Sequence, residues 1–238
     1  METQIQQQVQ ERIFGEMMKA GVHYGRAKRY THPSIKNFLL KSNKNIEFFN
    51  LRLTLQKLNE VSDYLKQALA ENKKILFVGT TPASQNKIQE IAQALNQYYL
   101  NYKWVGGFLT NFQTIKARLI YFRELLKKEE SGEIQNLPPA QRVKIEKELQ
   151  KLKNLYSGVV NLDSLPDIVF IVNLAYKQHK TAKREAIRMK IPIIALAGSD
   201  NDVSNVFLFV PGNDKAPRSI AWQLDYLLSK VKTQNIQN

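Results

Sequence analysis

The chain contains no cysteine among its 238 residues. This absence excludes disulfide bonds, thiolate catalysis and cysteine-ligated zinc or iron–sulfur sites, and it fits a reducing compartment. Long apolar runs are missing as well, since a segment such as 191–197 is far too short to span a bilayer. The first eight residues lack the basic and apolar regions of a signal peptide, so we expect a soluble, intracellular protein.

Acidic residues are in deficit. The chain has 21 Asp and Glu against 35 Lys and Arg, which gives a formal net charge of +14. Such an excess favours a polyanionic partner, and nucleic acid is favoured over an anionic membrane surface. A basic enzyme whose charge maintains solubility remains the alternative. Apolar residues make up 43% of the chain, which excludes disorder along its whole length.

Recognisable catalytic and metal-binding patterns are also absent. The segment 79–87 lies where a phosphate loop would lie, but it lacks the G-x-x-x-x-G-K-[ST] spacing, and G-x-G-x-x-G occurs nowhere. The three histidines show no zinc-ligand spacing, so we predict no catalytic residue, no metal site and no cofactor. Asp200 and Asp202 lie in a loop after a strand, where a metal could bind, although a plain polar turn is favoured.

Strand-like and helix-like segments alternate along most of the chain. This alternation predicts an α/β fold with a mostly parallel sheet and helices on both faces, in a Rossmann-like three-layer arrangement. Two short β-like runs at 38–40 and 46–49 predict a hairpin, and Pro82 is expected to open a helix. Strands are predicted at 74–79, 98–103, 167–172, 191–197 and 206–210, and helices at 5–18, 51–69, 82–95, 175–189 and 216–231.

The segment 110–156 carries no strand signal. It contains two apolar stripes with helical spacing, separated by a helix-breaking stretch that ends in Pro138 and Pro139. We predict two antiparallel helices that project as a coiled-coil hairpin. This hairpin, residues 110–157, would be an insertion in a discontinuous α/β domain formed by 1–109 and 158–238.

Nine residues, Lys103 to Asn111, combine a cation, two aromatic rings, two adjacent glycines and a terminal amide without any strong nucleophile or general base. The glycines permit a tight turn or close backbone approach, and the aromatic rings either stack on RNA or are buried beneath the hairpin. Because the tract lies where the body meets the hairpin, a structural joint is favoured, with Lys103 as its phosphate contact. The predicted junction consists of Trp104, Gly106, Gly107, Phe108 and Asn111.

Two basic regions are candidate RNA contacts. Residues 17–46 include no acid, and their cations alternate with aromatic residues, as suits RNA phosphates and unstacked bases. The helix near 175–189 places cations along one face, although an ordinary solvated face is a close alternative; His179 lies near its apolar side and is interpreted as a packed residue. The candidate contacts are Arg26, Lys28, Arg29, Lys36, Lys41, Lys44, Lys103, Lys177, Lys180 and Arg184.

Four ordered motifs resemble a known family. They are an apolar pair followed by a Gly-x-His-aromatic-Gly turn at 17–25, Trp-x-Gly-Gly-x-Leu-Thr-Asn at 104–111, a strand-centred motif at 165–173, and Pro-Gly-Asn-Asp at 211–214. With the helical insertion between the second and third motifs, the chain resembles the family of small-subunit ribosomal protein two, of bacterial or organellar type. The resemblance covers about residues 14 to 228.

The resemblance implies a structural protein of the small ribosomal subunit in translation and no enzyme. Members of that family lie on the solvent side between head and body, bind small-subunit rRNA and help to recruit protein one. The implied location is a ribosome in the cytoplasm or in a plastid stroma, with no membrane. Two departures limit the comparison: Arg26 stands where many bacterial relatives have a second histidine, and the loop 198–202 lacks the usual acidic residue and proline, so a metal is not assumed there.

Two other function classes stay open at this point. One is a soluble nucleotide-binding enzyme with a Rossmann-like core and a regulatory helical hairpin. The other is a membrane-associated adaptor, which the basic charge would also suit. Nucleotide-dependent thermal stabilisation would favour the first, and sedimentation with anionic vesicles the second.

Overall fold

The structure of the protein is a computed structural model that describes residues 2–41 and 45–232, with side chains described from residue 8 onward. Lys44, one of the candidate RNA contacts, lies outside the described residues. The helices are α1 (Glu2–Ala20), α2 (Leu51–Ala70), α3 (Gln85–Ala94), α4 (Phe112–Glu130), α5 (Pro139–Tyr156), α6 (Lys177–Arg188) and α7 (Pro217–Lys232). The strands are β1 (Tyr24–Ala27), β2 (Ile46–Phe48), β3 (Ile75–Val78), β4 (Tyr98–Leu100), β5 (Ile168–Val172), β6 (Ile193–Ala197) and β7 (Leu208–Pro211).

Five strands form a parallel sheet in the order β4-β3-β5-β6-β7. The first strand of the sheet therefore lies inside it, and the chain winds outward in both directions, as in doubly wound α/β folds. The predicted α/β class with a parallel sheet is confirmed.

Alternate residues of the sheet belong to two different cores. In β5, Val169 and Ile171 join the cluster that includes side chains of α4, α5 and α6, whereas Ile168 and Phe170 join the cluster with α1, α2, α3 and α7. This division follows from the two-residue repeat of a strand, whose side chains point to opposite faces. Helices therefore cover both faces of the sheet, as predicted.

The predicted hairpin in the first quarter of the chain differs in detail. Residues Pro33–Phe38 form a 3₁₀ helix, and Leu39 makes a single antiparallel bridge to Phe49. The strand partner of β2 is instead β1, in a separate two-stranded antiparallel sheet. The 3₁₀ helix forms because Pro33 fixes its first turn and the His32 side chain accepts a hydrogen bond from the backbone of Ser34.

The start of α3 also differs from the expectation. Pro82 lies in a turn before the helix, which begins at Gln85. In that turn the backbone N–H of Ser84 donates to the carbonyl of Thr81, and the two hydroxyl groups lie 2.8 Å apart. Local hydrogen bonds of Ser and Thr therefore delay the helix by one turn.

The two helices expected in the insertion are present as α4 and α5. Leu119 and Phe122 of α4 and Leu149 and Leu152 of α5 are buried in one cluster. Two polar contacts accompany them: the Tyr121 hydroxyl lies 3.3 Å from a Glu148 carboxylate oxygen, and Lys153 Nζ lies 2.7 Å from a Glu129 carboxylate oxygen.

These contacts do not share one antiparallel register. Along two straight antiparallel helices, a later residue in one helix meets an earlier residue in the other. Here Tyr121 meets Glu148, and the later Glu129 meets the later Lys153. A projecting antiparallel coiled coil is therefore not confirmed and stays a prediction. Within the described residues, no helix has both the length and the apolar character required to cross a bilayer.

Candidate RNA-binding surface

The segments of interest meet at the carboxyl edge of the parallel sheet. The Lys103–Asn111 tract follows β4, α6 follows β5, and the loops 198–205 and 212–216 follow β6 and β7. Parallel strands end at the same edge, which is where open α/β sheets bind their ligands. The basic regions were predicted from distant parts of the sequence, and the topology brings them close together.

The outer face of α6 carries unpaired cations. Lys177, Lys180, Arg184 and Arg188 are exposed, and in the described part of the chain they form no ion pair. Three of them line a groove of about 590 Å³ between α6 and the loop 198–205. Cations without an ion-pair partner lose no ion pair when a phosphate binds. The residues lining the groove that matter here are His32, Lys177, Lys180, Arg184, Asp202 and Asn205.

The inner face of α6 is fixed by His179. Its Nε2 accepts a hydrogen bond from the backbone N–H of Thr80 at 3.0 Å, and its Nδ1 donates to the carbonyl of Asn173 at 2.9 Å. Burial lowers the pKa of His179 to about 4, so the imidazole is neutral at pH 7. His179 is therefore a packed residue that ties α6 to the ends of β3 and β5, as expected from its place on the helix.

The N-terminal basic segment, residues 24–36, is attached to the loop after β6. The backbone N–H of Arg26 donates to the Ser199 hydroxyl at 2.8 Å, and that of His32 donates to the Ser199 carbonyl, also at 2.8 Å. Further along, the Val203 N–H donates to the Ser34 hydroxyl at 3.1 Å. These bonds place the segment on the opposite side of the groove from α6.

Arg26 is engaged within the protein. Its Nη1 lies 2.9 Å from Asp200 Oδ2, and its guanidinium lies over the Tyr30 ring at 4.4 Å from the centroid. Asp200 also accepts from Lys215 Nζ at 3.0 Å. Burial opposes ionisation of Asp200, but the hydrogen bonds from Arg26 and Lys215 outweigh it and hold the Asp200 pKa below its usual value. The side chain of Arg26 is nevertheless 43% exposed.

Asp214 carries a second buried carboxyl group, close to the Lys215 that pairs with Asp200. Asp214 Oδ2 accepts from Asn201 Nδ2 at 2.8 Å, and burial raises the pKa of Asp214 to about 6, although the nearby Lys215 opposes the shift. Asp202 lies apart from them and pairs with Lys183 at 3.1 Å. Across residues 2–41 and 45–232, no group of three or more His, Asp or Glu side chains is arranged to hold a metal ion.

The other predicted contacts occupy exposed positions. Lys28 and Arg29 lie in a 3₁₀ turn, with the Arg29 guanidinium 4.8 Å from the centroid of the Tyr30 ring. Lys36 and Lys41 are exposed near β2, and Lys103 is exposed beside the buried Trp104. Of the described residues that line the groove, none is one of these three lysines.

The large apolar side chains of the Lys103–Asn111 tract are buried. Trp104 is 4% exposed and Phe108 is fully buried, with ring centroids 5.3 Å apart, so neither ring is free to stack on RNA. Gly107 adopts a φ of +84°, which favours glycine. Gly106 differs from the expectation of close approach, because a Cβ there would meet nothing within 4 Å. Asn111 directly precedes α4, and its side chain accepts from the Thr114 hydroxyl at 2.8 Å.

Two residues in this site were missed by sequence reasoning. Glu185 accepts three hydrogen bonds from the tract, and Gln178 Oε1 accepts one more from the backbone of Trp104 at 3.0 Å. The signal that singles out Glu185 in the sequence is that it is the lone acid in a strongly basic helix. A carboxylate in that position is either a surface counter-charge or a buried acceptor, and only the fold distinguishes the two.

Comparison with known proteins agrees with this geometry. The family model described as Ribosomal protein S2 matches residues 17–233. The chain belongs to the ribosomal protein S2 family. The resemblance found in the four sequence motifs is thereby confirmed, and the match covers the whole parallel sheet and the groove.

Individual relatives are similar over most of their length. The small ribosomal subunit protein uS2 of Coprothermobacter proteolyticus is 37% identical over 86% of this chain and 76% of the relative. The uS2 protein of Buchnera aphidicola is 35% identical over 92% of this chain and 90% of the relative. The uS2c protein of Cyanophora paradoxa is 37% identical over 86% of this chain and 87% of the relative.

Membership of the S2 family decides between the open function classes. The family is structural and non-enzymatic, so the chain is a ribosomal protein and not an enzyme. The nucleotide-binding enzyme is thereby removed as an alternative. The family associates the chain with ribosomal RNA and proteins. The exposed cations of the groove are therefore candidates for contacts with RNA.

Proposed function

We propose that this S2-family protein is a structural component of the small ribosomal subunit that binds rRNA phosphates through the groove beside α6. The observation that carries the proposal is the row of exposed Lys177, Lys180 and Arg184 along one wall of the groove, without ion pairs among the described residues. Contacts of this kind position a protein on RNA without reading its sequence. Shape and charge, not base recognition, would therefore dominate the interaction.

The N-terminal basic segment would extend the same surface. Lys28 and Arg29 are exposed in a 3₁₀ turn, and Tyr30 presents a partly exposed ring beside two guanidinium groups. Proteins commonly bind RNA where cationic side chains contact the phosphates and aromatic rings or guanidinium planes stack on unstacked bases. We assign Arg26 mainly to holding this segment in place, because its guanidinium is paired with Asp200. Lys36, Lys41 and Lys103 would be peripheral contacts.

The wider placement rests on the family resemblance. We propose that the protein lies on the solvent side of the subunit, between head and body, and contacts other ribosomal proteins, protein one among them. The relatives include bacterial proteins and the uS2c protein of Cyanophora paradoxa, which keeps both a cytoplasmic and a plastid location compatible with the sequence.

We further propose that residues 110–157 form an inserted unit on the α/β body of 1–109 and 158–238. Ile120, Tyr121 and Val143 are exposed apolar side chains in this unit and suit a protein neighbour. In an extended antiparallel pair whose apolar stripes face each other, Leu126 of α4 would lie opposite Ile145 of α5, and both are partly buried against the same cluster. Cysteines introduced at Leu126 and Ile145 should then form a disulfide under mild oxidation, and failure to do so would reject the coiled coil.

Cosedimentation with small subunits tests the main proposal. The protein should sediment with small subunits at low salt and leave them in high salt, because phosphate binding releases counterions. A matched experiment with anionic phospholipid vesicles separates RNA from general attraction to negative charge. Binding to subunits that does not change with salt, or equal binding to the vesicles, would contradict the proposal.

A further inference from the structure

Glu185 carries a buried carboxylate on the side of α6 that faces the Lys103–Asn111 tract. The residue is 7% exposed. Its Oε1 accepts from Trp104 Nε1 at 3.1 Å and from the Gly107 backbone N–H at 2.8 Å, and its Oε2 accepts from the Leu109 backbone N–H at 3.0 Å. Both carboxylate oxygens are therefore occupied by a single short stretch of chain.

Within residues 2–41 and 45–232, no cation forms an ion pair with this carboxylate. Among the ion pairs of the described residues, none includes Glu185, although α6 carries five lysines and arginines. A buried carboxylate without a cation or hydrogen bonds is strongly unfavourable, whereas N–H donors to a charged oxygen form the stronger class of hydrogen bond. The three donors of the tract therefore satisfy Glu185, and Glu185 in turn fixes the conformation in which all three point at one group.

That conformation determines where α4 begins. Gly107 has a φ of +84°, and the Asn111 N–H donates to the Gly107 carbonyl at 2.8 Å. Phe112, the first residue of α4, has its ring centroid 6.4 Å from that of Phe108. The chain thus passes from the residues held by Glu185 into α4 within three residues of Leu109, with no flexible linker between them.

We propose that Glu185 is the positioning residue that fixes the direction in which the α4–α5 pair leaves the α/β body. It lies on the same helix as Lys177, Lys180 and Arg184, so it joins the cationic wall of the groove to the inserted unit. This role concerns the isolated protein. It goes beyond RNA binding and does not depend on it, so each can fail without the other.

Spin-label distances in the free protein test the proposal. The chain contains no cysteine, so cysteines introduced in pairs are the only labelling sites. The first pair measures the distance between exposed Lys144 of α5 and exposed Arg218 of α7, and the second the distance between Lys180 of α6 and Arg218.

Glu185→Gln keeps the shape of the side chain but turns one acceptor oxygen into an NH₂ group that faces an N–H donor. The distance distribution of the first pair should broaden to about twice its wild-type width, while the second stays unchanged.

Hydrogen exchange gives a second readout at the contact itself. The amides of Gly107 and Leu109 should exchange about tenfold faster in Glu185→Gln, since each loses or weakens its acceptor. Glu124→Gln, which changes an exposed glutamate of α4, is the matched control and should leave both readouts at wild-type values.

A milder variant covers the possibility that Glu185→Gln loosens α6 as a whole and broadens both pairs. Trp104→Phe removes the Nε1 donor and part of the indole ring, leaves the Glu185 carboxylate unchanged, and keeps an aromatic ring in the cluster. It should broaden the Lys144–Arg218 distribution alone. If the Lys144–Arg218 distribution keeps its wild-type width in Trp104→Phe, or in a folded Glu185→Gln, then Glu185 does not position the α4–α5 pair and the proposal is wrong.

Discussion

The two basic regions that border the groove are similar in sequence and different in structure. Both the N-terminal basic segment and α6 are rich in lysine and arginine and poor in acid. In α6 the outward cations have no ion-pair partner within the described residues, whereas Arg26 of the segment is paired with Asp200. The acid that neutralises Arg26 lies 174 residues away along the chain. A local excess of charge therefore does not reveal which cations are free.

Each region is also anchored near a buried titratable group, and the two groups contribute to stability with opposite pH dependence. The segment is attached to the loop after β6, whose Asn201 donates to the buried Asp214, and α6 is attached through the buried His179. Changing Asp214, the cations of α6 or Arg26 tests the difference between the two regions.

The largest effect is expected from Asp214→Asn, measured as unfolding free energy against pH. The pKa of Asp214 is about 6 in the fold and near 4 when unfolded, so its contribution to stability falls as pH rises from 4 to 6. His179, with a folded pKa of about 4, acts in the opposite sense over nearly the same range, and its contribution rises with pH. The wild type should therefore vary little between pH 4 and 6.

In Asp214→Asn only the His179 contribution remains. The unfolding free energy of the variant should rise with pH relative to the wild type by about 3 kcal/mol between pH 3 and 7. Urea denaturation at several pH values measures this, with Asp63→Asn, an exposed aspartate of α2, as control. Parallel curves for variant and wild type would show that Asp214 does not titrate in the fold as its burial requires.

An effect of about 2 kcal/mol is expected from reversing two cations of α6. Lys180→Glu with Arg184→Glu should lower affinity for small-subunit rRNA about 30-fold at roughly 0.1 M salt and reduce the slope of log K against log salt by about two. The matched control, Arg52→Glu with Arg218→Glu, makes the same charge change on exposed residues of α2 and α7, across the sheet. Equal losses in the two double variants would show that net charge, not the groove, governs binding.

The smallest effect is expected from Arg26→Ala. Because its guanidinium is paired with Asp200 and lies over Tyr30, its loss should change rRNA affinity by less than about twofold, whereas Arg184→Ala should cost about fivefold. Filter binding of both variants at one salt concentration makes the comparison. A larger loss for Arg26 than for Arg184 would reverse the distinction drawn between the two regions.

Much of the fold follows from patterns that are local in sequence. Continuous apolar runs such as Ile168–Val172 predict buried parallel strands, and the spacing of Leu55, Leu58 and Leu65 predicts the buried face of α2. These signals depend only on neighbours within one element. They were sufficient for the α/β class and for the approximate bounds of the helices.

The parts that could not be predicted depend on contacts between distant segments. The pairing of β2 with β1 requires the chain between them to adopt 3₁₀ turns, which periodicity does not describe. The burial of Glu185 and the pairing of Arg26 likewise depend on which loops meet at the carboxyl edge of the sheet. For a charged residue, sequence gives the chemistry, and only the fold gives the partner.

The strand order also bears on how the protein acquires its structure during synthesis. The central strand β5 pairs with β3 through residues 93 positions apart, Ile75 with Ile168, and it is also the partner of β6. Until β5 has been made, β3 has no neighbour on the interior side of the sheet, and the apolar residues of α4 and α5 lack one of the strands that cover them. Pairing over such a separation is slow, and exposed strand edges aggregate. The interior edge of the growing sheet therefore stays open until residues 168–172 have been synthesised.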